Sequence, residues 1–489
     1  MREQERFEEH RQCRRGGKCV MKVIIVGCGK IGYTIAKALS AEKGINVTVV
    51  DIDPGIFDDS GEPLDVIFVK GNGVSEKTLI DSGAKSADLV ISTTNADEVN
   101  ILCCIMAKYL GTKHTIARVR DPEYSLEFNK LWKDLGIDIA LNPELQTARE
   151  ISRLLRYPAA DGIVTFVGGR VEMVSVKASE AAEYFTGKSI SQIFDKKMGI
   201  LIALVERNGI AVIPHGDFVF NESDIVMIVG RPSQIMKFFT NIQKYPKKAQ
   251  EIMVIGGGKI TRYLAELLKR HTVKANLKIV EKDHRKCEVL YEALSSGSNG
   301  RRCMFINGDG TDEELLKSEE IDKMDAFVCL TDRDEENTII SLYALRMGVK
   351  KVITKVNNIH LNMIRNLGLG LGSIITPQDI TLDTIARYID GLKGVVGNNA
   401  KTMHRIFSGD DGNVEAIEFH VNKKAKCLGI PIKALSIKRE VLICCIVRNS
   451  EIIIPSGETQ MQTEDIVIII SKNNEIRELD DILLKRTEV

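Results

Sequence analysis

Met21-Lys-Val-Ile-Ile-Val-Gly27-Cys28-Gly29-Lys30-Ile31-Gly32 is the stretch whose reading decides the fold. Val23 to Gly27 predict a buried strand that ends on a glycine. Ile31, Ile35, Ala38 and Leu39 then recur at helical spacing. In Gly-x-Gly-x-x-Gly, Gly27 permits the tight turn and Gly29 lets a diphosphate approach the main chain. Gly32 lets the helix pack close on the strand, with its N-terminal N–H groups aimed at phosphates. A second strand, Asn46 to Val50, delivers Asp51, and 51 − 32 = 19 residues past the last glycine. There a dinucleotide fold places the carboxylate that accepts ribose hydroxyls. A bare glycine triplet is weak evidence, but strand, triplet, helix, second strand and acid in register predict a nucleotide site.

The chain around this stretch has 489 residues, a length that predicts roughly three or four domains. Its 44% hydrophobic content can fill several cores, and Lys plus Arg balances Asp plus Glu at 67 each. That balance gives no electrostatic case for nucleic acid. No apolar run approaches the roughly 18 residues needed to span a bilayer. Eleven cysteines without a Cys-x-x-Cys, and without a signal peptide, predict free thiols in a reducing cytoplasm. Eight histidines form no His-x-His or His-x-x-x-His pair, so no metal site is expected. Residues 1–20 carry mixed charge and no apolar core. They read as a disordered extension, or as sequence upstream of a working start at Met21.

After Asp51 the pattern continues. A third strand, Asp65 to Lys70, closes on Gly71-Asn72-Gly73, and a helix spans Thr78 to Ser82. A fourth strand, Ala87 to Ser92, ends in Thr93-Thr94-Asn95, and Asp97 is placed as the cap of a helix through Leu110. A fifth strand, His114 to Val119, precedes Arg120-Asp121-Pro122. Such alternation predicts an α/β, doubly wound parallel sheet with helices on both faces. The strand carboxyl ends at Gly27, Asp51, Asn72, Thr94 and Arg118 then line one crevice. From Tyr157 onward β-branched segments with hairpin signals at Gly168-Gly169 and Asn208-Gly209 predict a small α+β unit. It has roughly 70 residues, about half the usual domain size. Proline marks the junctions on either side, at Pro158 and Pro246.

Then the chain starts again. Gly256-Gly257-Gly258-Lys259-Ile260 repeats the opening turn at an offset of 256 − 27 = 229, and Glu281 repeats Asp51 at 230. Gly308-Asp309-Gly310 repeats Gly71-Asn72-Gly73 at offset 237. Asp325, Asp334-Glu335 and Asn337 repeat Asp88, Asp97-Glu98 and Asn100 at that same offset. Lys355 stands where Arg118 did. Arg207, Pro214 and Asp224 return as Arg448, Pro455 and Asp465 at offset 241, so the small unit was copied with the nucleotide unit. Expected boundaries are 21–145 and 158–243 for the first copy, and 250–375 and 400–475 for the second. The copies differ at Thr261, which replaces the third glycine and adds bulk where helix and strand should be closest. Lys282, Arg285 and Lys286 flank Glu281, as an extra-phosphate site or as a solvated helix face. Asp51 has no such neighbour, which favours NAD over NADP.

Two nucleotide units, each followed by a small α+β unit, resemble the TrkA-type peripheral subunits of Trk potassium-uptake systems. Each half is similar to an RCK domain, a regulator of potassium conductance. The resemblance covers Met21 to about Ser471. It rests on the first glycine turn, Asp51, Gly71-Asn-Gly73, Thr94-Asn95-Ala-Asp-Glu98-Val-Asn100 and Ala117-Arg118-Val-Arg120-Asp121-Pro122. The second half adds Gly308-Asp309-Gly-Thr311 and Thr331-Asp332-Arg-Asp-Glu-Glu-Asn337. It implies a cytoplasmic regulatory subunit on the inner face of the cell membrane. Such a subunit binds NAD or NADH, with ATP as a further candidate, and gates a separate integral membrane potassium transporter subunit. It also implies a homo-oligomeric ring. By the same match Gly27 to Ile31 hold the diphosphate and Asp51 the ribose, with Asn72, Thr94, Asn95 and Arg118 along the crevice. Gly256 to Ile260, Glu281, Asp309, Thr331 and Asp332 are their second-copy counterparts.

Plainer roles compete for several of these residues. Thr94 and Asn95 could simply end a strand, Asn72 could cap the next helix, and Arg118 could pair with Asp97 or Glu98. Two other functions compete as well. An NAD-dependent oxidoreductase needs a substrate domain and a positioned proton donor. Here only small β-rich units follow, and Glu206, Arg207 and His215 read as hairpin tip and surface. His114, the only histidine of the first nucleotide unit, starts its strand at the wrong end of the sheet. A regulator of another cation transporter would leave no distinguishing motif.

Overall fold

The computed structural model describes residues 20–42, 44–53, 64–121, 129–157, 160–194, 198–241, 249–270, 275–295, 303–357, 371–393, 400–409, 412–472, 476 and 478–484. The N-terminal extension and the prolines at 122, 158 and 246 lie outside them. Two compact units divide the chain. One takes it through Gln146 together with Pro377–Leu382, and the other holds Thr147–Thr376 and Asp383 onward.

In the first unit β1 (Met21–Val26), α1 (Lys30–Ser40), β2 (Ile45–Asp51), β3 (Ile67–Lys70), α2 (Glu76–Asp81), β4 (Leu89–Ser92), α3 (Asp97–Leu110), β5 (His114–Arg118), α4 (Asn129–Asp134) and β6 (Ile139–Leu141) follow in turn. The strands form one parallel sheet in the order β3-β2-β1-β4-β5-β6. The chain reverses its direction of winding between β1 and β4, so a crevice opens beyond their carboxyl ends. Val23–Val26 and all of β4 are buried, as expected of strands covered on both faces. Behind β1, the inner face of α1 is Gly32, Ile35, Ala36 and Leu39. The expected Ile31 and Ala38 flank that stripe. Asp97 does not cap α3. It is the first helical residue, and its carboxylate accepts the Arg120 and Asp121 N–H groups at 2.7 and 2.8 Å.

A helix α5 (Pro143–Arg156) runs out of this unit into the second. There β7 (Ala160–Phe166), β8 (Val171–Lys177), α6 (Ala182–Phe185), α7 (Ile190–Ile193), β9 (Ile200–Arg207), β10 (Ile210–Val212), β11 (Ile225–Gly230) and α8 (Pro232–Asn241) form an antiparallel unit. Its strand order is β10-β9-β11-β8-β7. The two glycine-marked turns join β7 to β8 and β9 to β10, with Asn208 at φ 53° and Gly209 at φ 77°.

The parallel architecture then repeats through β12 (Glu251–Ile255), α9 (Lys259–Arg270), β13 (Asn276–Glu281), α10 (His284–Ser295), β14 (Cys303–Asn307), α11 (Glu313–Ser318), β15 (Ala326–Cys329), α12 (Asp334–Arg346), β16 (Lys351–Lys355) and β17 (Ser373–Ile375). Its order, β14-β13-β12-β15-β16-β17, matches the first sheet. After α13 (Pro377–Lys393) come β18 (Ala400–Gly409), β19 (Gly412–His420), β20 (Val441–Arg448), β21 (Glu451–Ile453) and β22 (Ile466–Lys472), ordered β18-β19-β22-β20-β21.

The two small sheets share one core. Phe166, Met173, Leu204 and Val229 of one pack with Val414, Cys444, Ile468 and Ile470 of the other. A unit of roughly 70 residues buries too little surface alone, and pairing within the chain removes that limit. Glu418, 3% exposed, ties the sheets by accepting the Val167 N–H at 3.0 Å. The duplicated Arg207 and Asp224 are a bidentate pair at 2.7 and 2.7 Å with Asp224 fully buried, which corrects the reading of Arg207 as plain surface. Arg448 and Asp465 repeat the pair at 2.8 and 2.8 Å. Replacing Arg207 with Ala leaves the Asp224 carboxylate buried without its cation and should cost about 3 kcal/mol. Urea unfolding of Arg207→Ala against wild type measures this, and Arg207→Ala/Asp224→Asn should recover part of the loss.

Candidate functional site

The first crevice is built from the glycine turn outward. Gly27 has φ +88°, and a Cβ there would stand 2.8 Å from the Thr94 amide nitrogen. A Cβ on Gly32 would lie 1.9 Å from the Gly27 carbonyl oxygen. Neither position admits another residue. Thr93 Oγ1 donates to that same carbonyl at 2.9 Å and fixes the turn against β4. Asp51 holds it from the other side, with Oδ2 accepting Cys28 N–H at 2.6 Å and Oδ1 accepting Asp53 N–H at 3.0 Å. Cys28 contributes its main chain. Its thiol is buried, and burial together with Asp51 pushes it up to about 11.

The outer side of the turn is open. A Cβ on Gly29 would meet nothing within 4 Å, no side chain caps α1, and no acidic residue lies in its first turn. Lys30 is exposed and Ile31 half-buried at the same helix end. An uncapped N-terminus over open space fits an anion such as a diphosphate.

Across the crevice a residue that sequence reading recorded only as a repeat organises the rest. Asn100 is fully buried; its Oδ1 accepts Thr94 N–H at 2.7 Å, Thr94 Oγ1–H at 2.8 Å and Ser92 Oγ–H at 3.0 Å. Its Nδ2 donates to the Thr94 and Arg118 carbonyls at 3.2 and 2.9 Å. One carboxamide thus brings Thr94 and Arg118 together. Asn72 is exposed and accepts Val74 N–H at 3.1 Å, a local turn and not a helix cap. Asn95 is exposed too, and its carbonyl accepts from Arg120.

Arg118 pairs with neither Asp97 nor Glu98. Arg120 takes Asp97, and Arg118 Nη2 faces Glu144 at 3.6 Å. Arg118 Nε and Glu144 Oε2 are buried with no hydrogen-bond partner. Burial lowers the guanidinium pKa from its ordinary value, against the pull of Glu144. A buried donor and acceptor left without a partner among the described residues are costly.

The second crevice has the same frame. Gly256 has φ +99°, and a Cβ on Gly258 would meet nothing within 4 Å. Gly257 is packed under Glu281 and Leu290, and its N–H donates to Glu281 Oε2 at 2.6 Å. Lys259 is exposed and Ile260 buried. Thr261 does not spoil the turn. Its hydroxyl donates to the Gly256 carbonyl at 2.5 Å, the task Thr93 performs in the first copy, and Leu330 takes the place of Thr93. Asn337 repeats the clamp, accepting Thr331 N–H and Oγ1–H at 3.1 and 2.6 Å and donating to the Thr331 and Lys355 carbonyls at 3.0 and 3.0 Å.

The charges differ. Asp309 pairs with Lys282 at 2.6 Å and accepts from Thr311, and these contacts, Lys282 foremost, hold its carboxyl down at about 2. Lys355 pairs with Asp332 at 3.0 Å. Arg285 and Lys286 are exposed on α10. Each charged group at the second mouth that replaces a neutral or differently paired one thus has an internal counter-ion.

Comparison with known proteins follows this duplication. The TrkA-N domain family matches residues 23–143 and 252–377, and the TrkA-C domain family matches 179–243 and 416–484. A Trk system potassium uptake protein TrkA homolog of Archaeoglobus fulgidus is 31% identical over 463 residues, covering 94% of this chain and all of that relative. The Vibrio alginolyticus Trk system potassium uptake protein TrkA is 29% identical, with 93% and 96% covered. Among solved structures, the GsuK RCK domain shares the fold at a TM-score of 0.61 and 17% identity, over 94% of this chain and 93% of that one. The GsuK channel bound to NAD aligns at 0.59 and 17% identity, over 94% and 78%.

The exchange of hydroxyls between the copies is testable. Thr261→Gly should cost about 1–3 kcal/mol because the Gly256 carbonyl loses the hydroxyl donor of buried Thr261. Adding Leu330→Thr should restore that donor from β15. A double-mutant cycle by urea unfolding should then show a favourable coupling of about 1 kcal/mol.

Proposed function

The chain belongs to the TrkA family of potassium-uptake proteins, and from that premise we propose that it is a nucleotide-binding regulatory subunit. It acts on a separate potassium-translocating membrane protein. No described helix is long and apolar enough to cross a membrane. The proposed location, from the family resemblance, is the inner face of the cell membrane. The proposed working assembly is a homo-oligomeric ring, as family resemblance implies.

The observation that carries the reading is the state of the first crevice. Its turn is locked by Asp51 and Thr93, its helix end is open, and buried Arg118 Nε and Glu144 Oε2 await partners. In this assignment NAD or NADH lies along Gly27 to Gly32 with its diphosphate at the start of α1. Asp51 accepts the ribose hydroxyls, and Asn72, Thr94, Asn95 and Arg118 border the remainder. The solved GsuK channel bound to NAD, a protein of the same fold, supports a dinucleotide. ATP is a second candidate, because its phosphates suit the same helix end. At the second site, Gly256 to Ile260, Glu281, Thr331 and the charged Asp309 and Asp332, a nucleotide must displace existing ion pairs. That makes it the weaker site.

A dehydrogenase reading calls for a positioned proton donor, and at the first crevice no histidine among the described residues lies at a strand carboxyl end. His114 lies at the amino end of β5, its Nδ1 is 3.7 Å from Asp138, and burial lowers its pKa. The proposal is therefore a regulator and not an enzyme. Regulation requires that ligand favour one arrangement of the lobes over another.

Calorimetry on the full chain should show Asp51→Ala weakening NADH binding by about 1.5–3 kcal/mol, the range for hydrogen bonds to a charged group. Unchanged affinity would remove Asp51 from the site. Potassium flux through the reconstituted membrane partner should differ between wild type and that variant by about 5- to 150-fold in the ligand-dependent component. Identical flux across NAD, NADH and ATP would leave the nucleotide a structural role only.

A further inference from the structure

Asn-Gly occurs four times in the sequence, at Asn72, Asn208, Asn299 and Asn307, and Asn299 lies outside the described residues. An asparagine followed by glycine is chemically labile, because no side chain keeps the glycine nitrogen away from the carboxamide carbon. Whether the fold permits that approach depends on what holds the two groups.

At Asn72 neither group is held back. The side chain is exposed, and its Oδ1 accepts Val74 N–H at 3.1 Å, which folds the carboxamide over the Gly73 peptide. Neither Asn72 Nδ2 nor the Gly73 N–H makes a hydrogen bond with a described residue. Gly73 is buried and obligatory, since a Cβ there would lie 2.1 Å from Val26 Cγ1, so packing itself preserves the labile pair. Asn307 stands differently. Its Nδ2 donates to the Glu281 and Lys282 carbonyls at 3.0 and 3.1 Å, and Gly308 N–H donates to the Glu281 carbonyl at 3.0 Å. Leaving group and nucleophile are both tied down. Asn208, at φ 53°, is held in its hairpin by the pairing of Arg207 with Ile210.

We propose that Asn72 is a site of spontaneous deamidation, which turns it into the carboxylate that the second copy already carries at Asp309. The Gly73 nitrogen loses its proton and bonds to Asn72 Cγ. The Cγ–Nδ2 bond breaks, and ammonia leaves with that proton. Water then opens the cyclic imide: attack at Cγ gives aspartate, attack at the main-chain carbon gives isoaspartate, and nothing is oxidised or reduced. The consequence for binding rests on the nucleotide reading of the first crevice. Asp309 is neutralised by Lys282 at 2.6 Å, whereas at the matching offset of 230 the first copy has exposed Ile52. A carboxylate at position 72 lacks that counter-ion and repels the phosphates assigned to the glycine turn.

The test ages the full chain without nucleotide in mildly alkaline buffer, once folded and once in urea. Peptide mapping follows the gain in mass as each amide becomes an acid. In the folded chain Asn72 should convert faster than Asn208 and Asn307, and in urea the three rates should converge. Conversion at Asn72 no faster than at Asn307 in the folded chain overturns the proposal. Calorimetry then compares NADH binding by fresh and aged wild type, by Asn72→Asp and by Asn72→Gln, whose longer side chain closes the ring poorly. Aged wild type and Asn72→Asp should bind about two- to fivefold more weakly at low salt, a difference that added salt removes. Aged Asn72→Gln should bind as its fresh form does. Conversion at Asn72 with unchanged affinity overturns the consequence for the crevice. If fresh wild type binds no NADH, the nucleotide reading fails, and the peptide map alone decides the modification.

Discussion

Two buried carboxamides hold the working edge of each parallel sheet in place. Asn100 and Asn337 each sit in the first turns of the helix that follows the fourth strand, and each is fully buried. One side chain accepts from the end of that strand and donates to the end of the next. Asparagine alone among the small side chains offers both an acceptor and two donors in this planar geometry. Aspartate would turn its second oxygen against two carbonyls, and leucine would leave several main-chain groups unpaired in a dry place. The crevice exists because the winding reverses between the first and fourth strands, and this amide ties the ends of the fourth and fifth strands together along its border.

A second constraint is the carbonyl of the first glycine in each turn, Gly27 and Gly256. It must be bonded, since the helix packs over it. The copies solve this differently. In the first, Thr93 reaches over from the neighbouring strand, and the helix position must be Gly32 to leave room. In the second, the hydroxyl comes from the helix itself through Thr261, and Leu330 fills the space on the strand. Loss of the third glycine is therefore no sign of a decayed turn. It moves one hydroxyl from strand to helix.

How much of this could be read from sequence follows from where each interaction is encoded. The parallel sheets, the crevice edge and the duplication were legible, because glycine spacing, strand periodicity and fixed offsets are local or repeated signals. The recurrence of Asn100 as Asn337 was visible as well, but not its task, because the partners Ser92, Thr94 and Arg118 belong to elements that only the fold brings together. Arg118 shows the same limit. Charge spacing nominated Asp97 or Glu98, while the fold delivers Glu144 from the start of the helix after β6, the strand that pairs with Arg118's own. The small β-rich units read as undersized, because pairing of two sheets from distant stretches into one core leaves no local trace.

The charge pattern of the two crevices gives the duplication a direction. In the first copy Asn72 and Asn95 are neutral, and the buried Arg118–Glu144 contact is loose, with one atom on each side unsatisfied. Under the proposed assignment, a phosphate or ribose there would gain hydrogen bonds that these two atoms lack among the described residues. In the second copy the corresponding Asp309 and Asp332 already neutralise Lys282 and Lys355. Under the proposed assignment, an anion there would compete with those pairs, each with at least one exposed partner, and lie among carboxylates. Ligand binding free energy can bias a conformational equilibrium only by the difference it makes between states. A site whose empty form carries unsatisfied buried groups has such a difference built in, whereas a site already paired within itself has little.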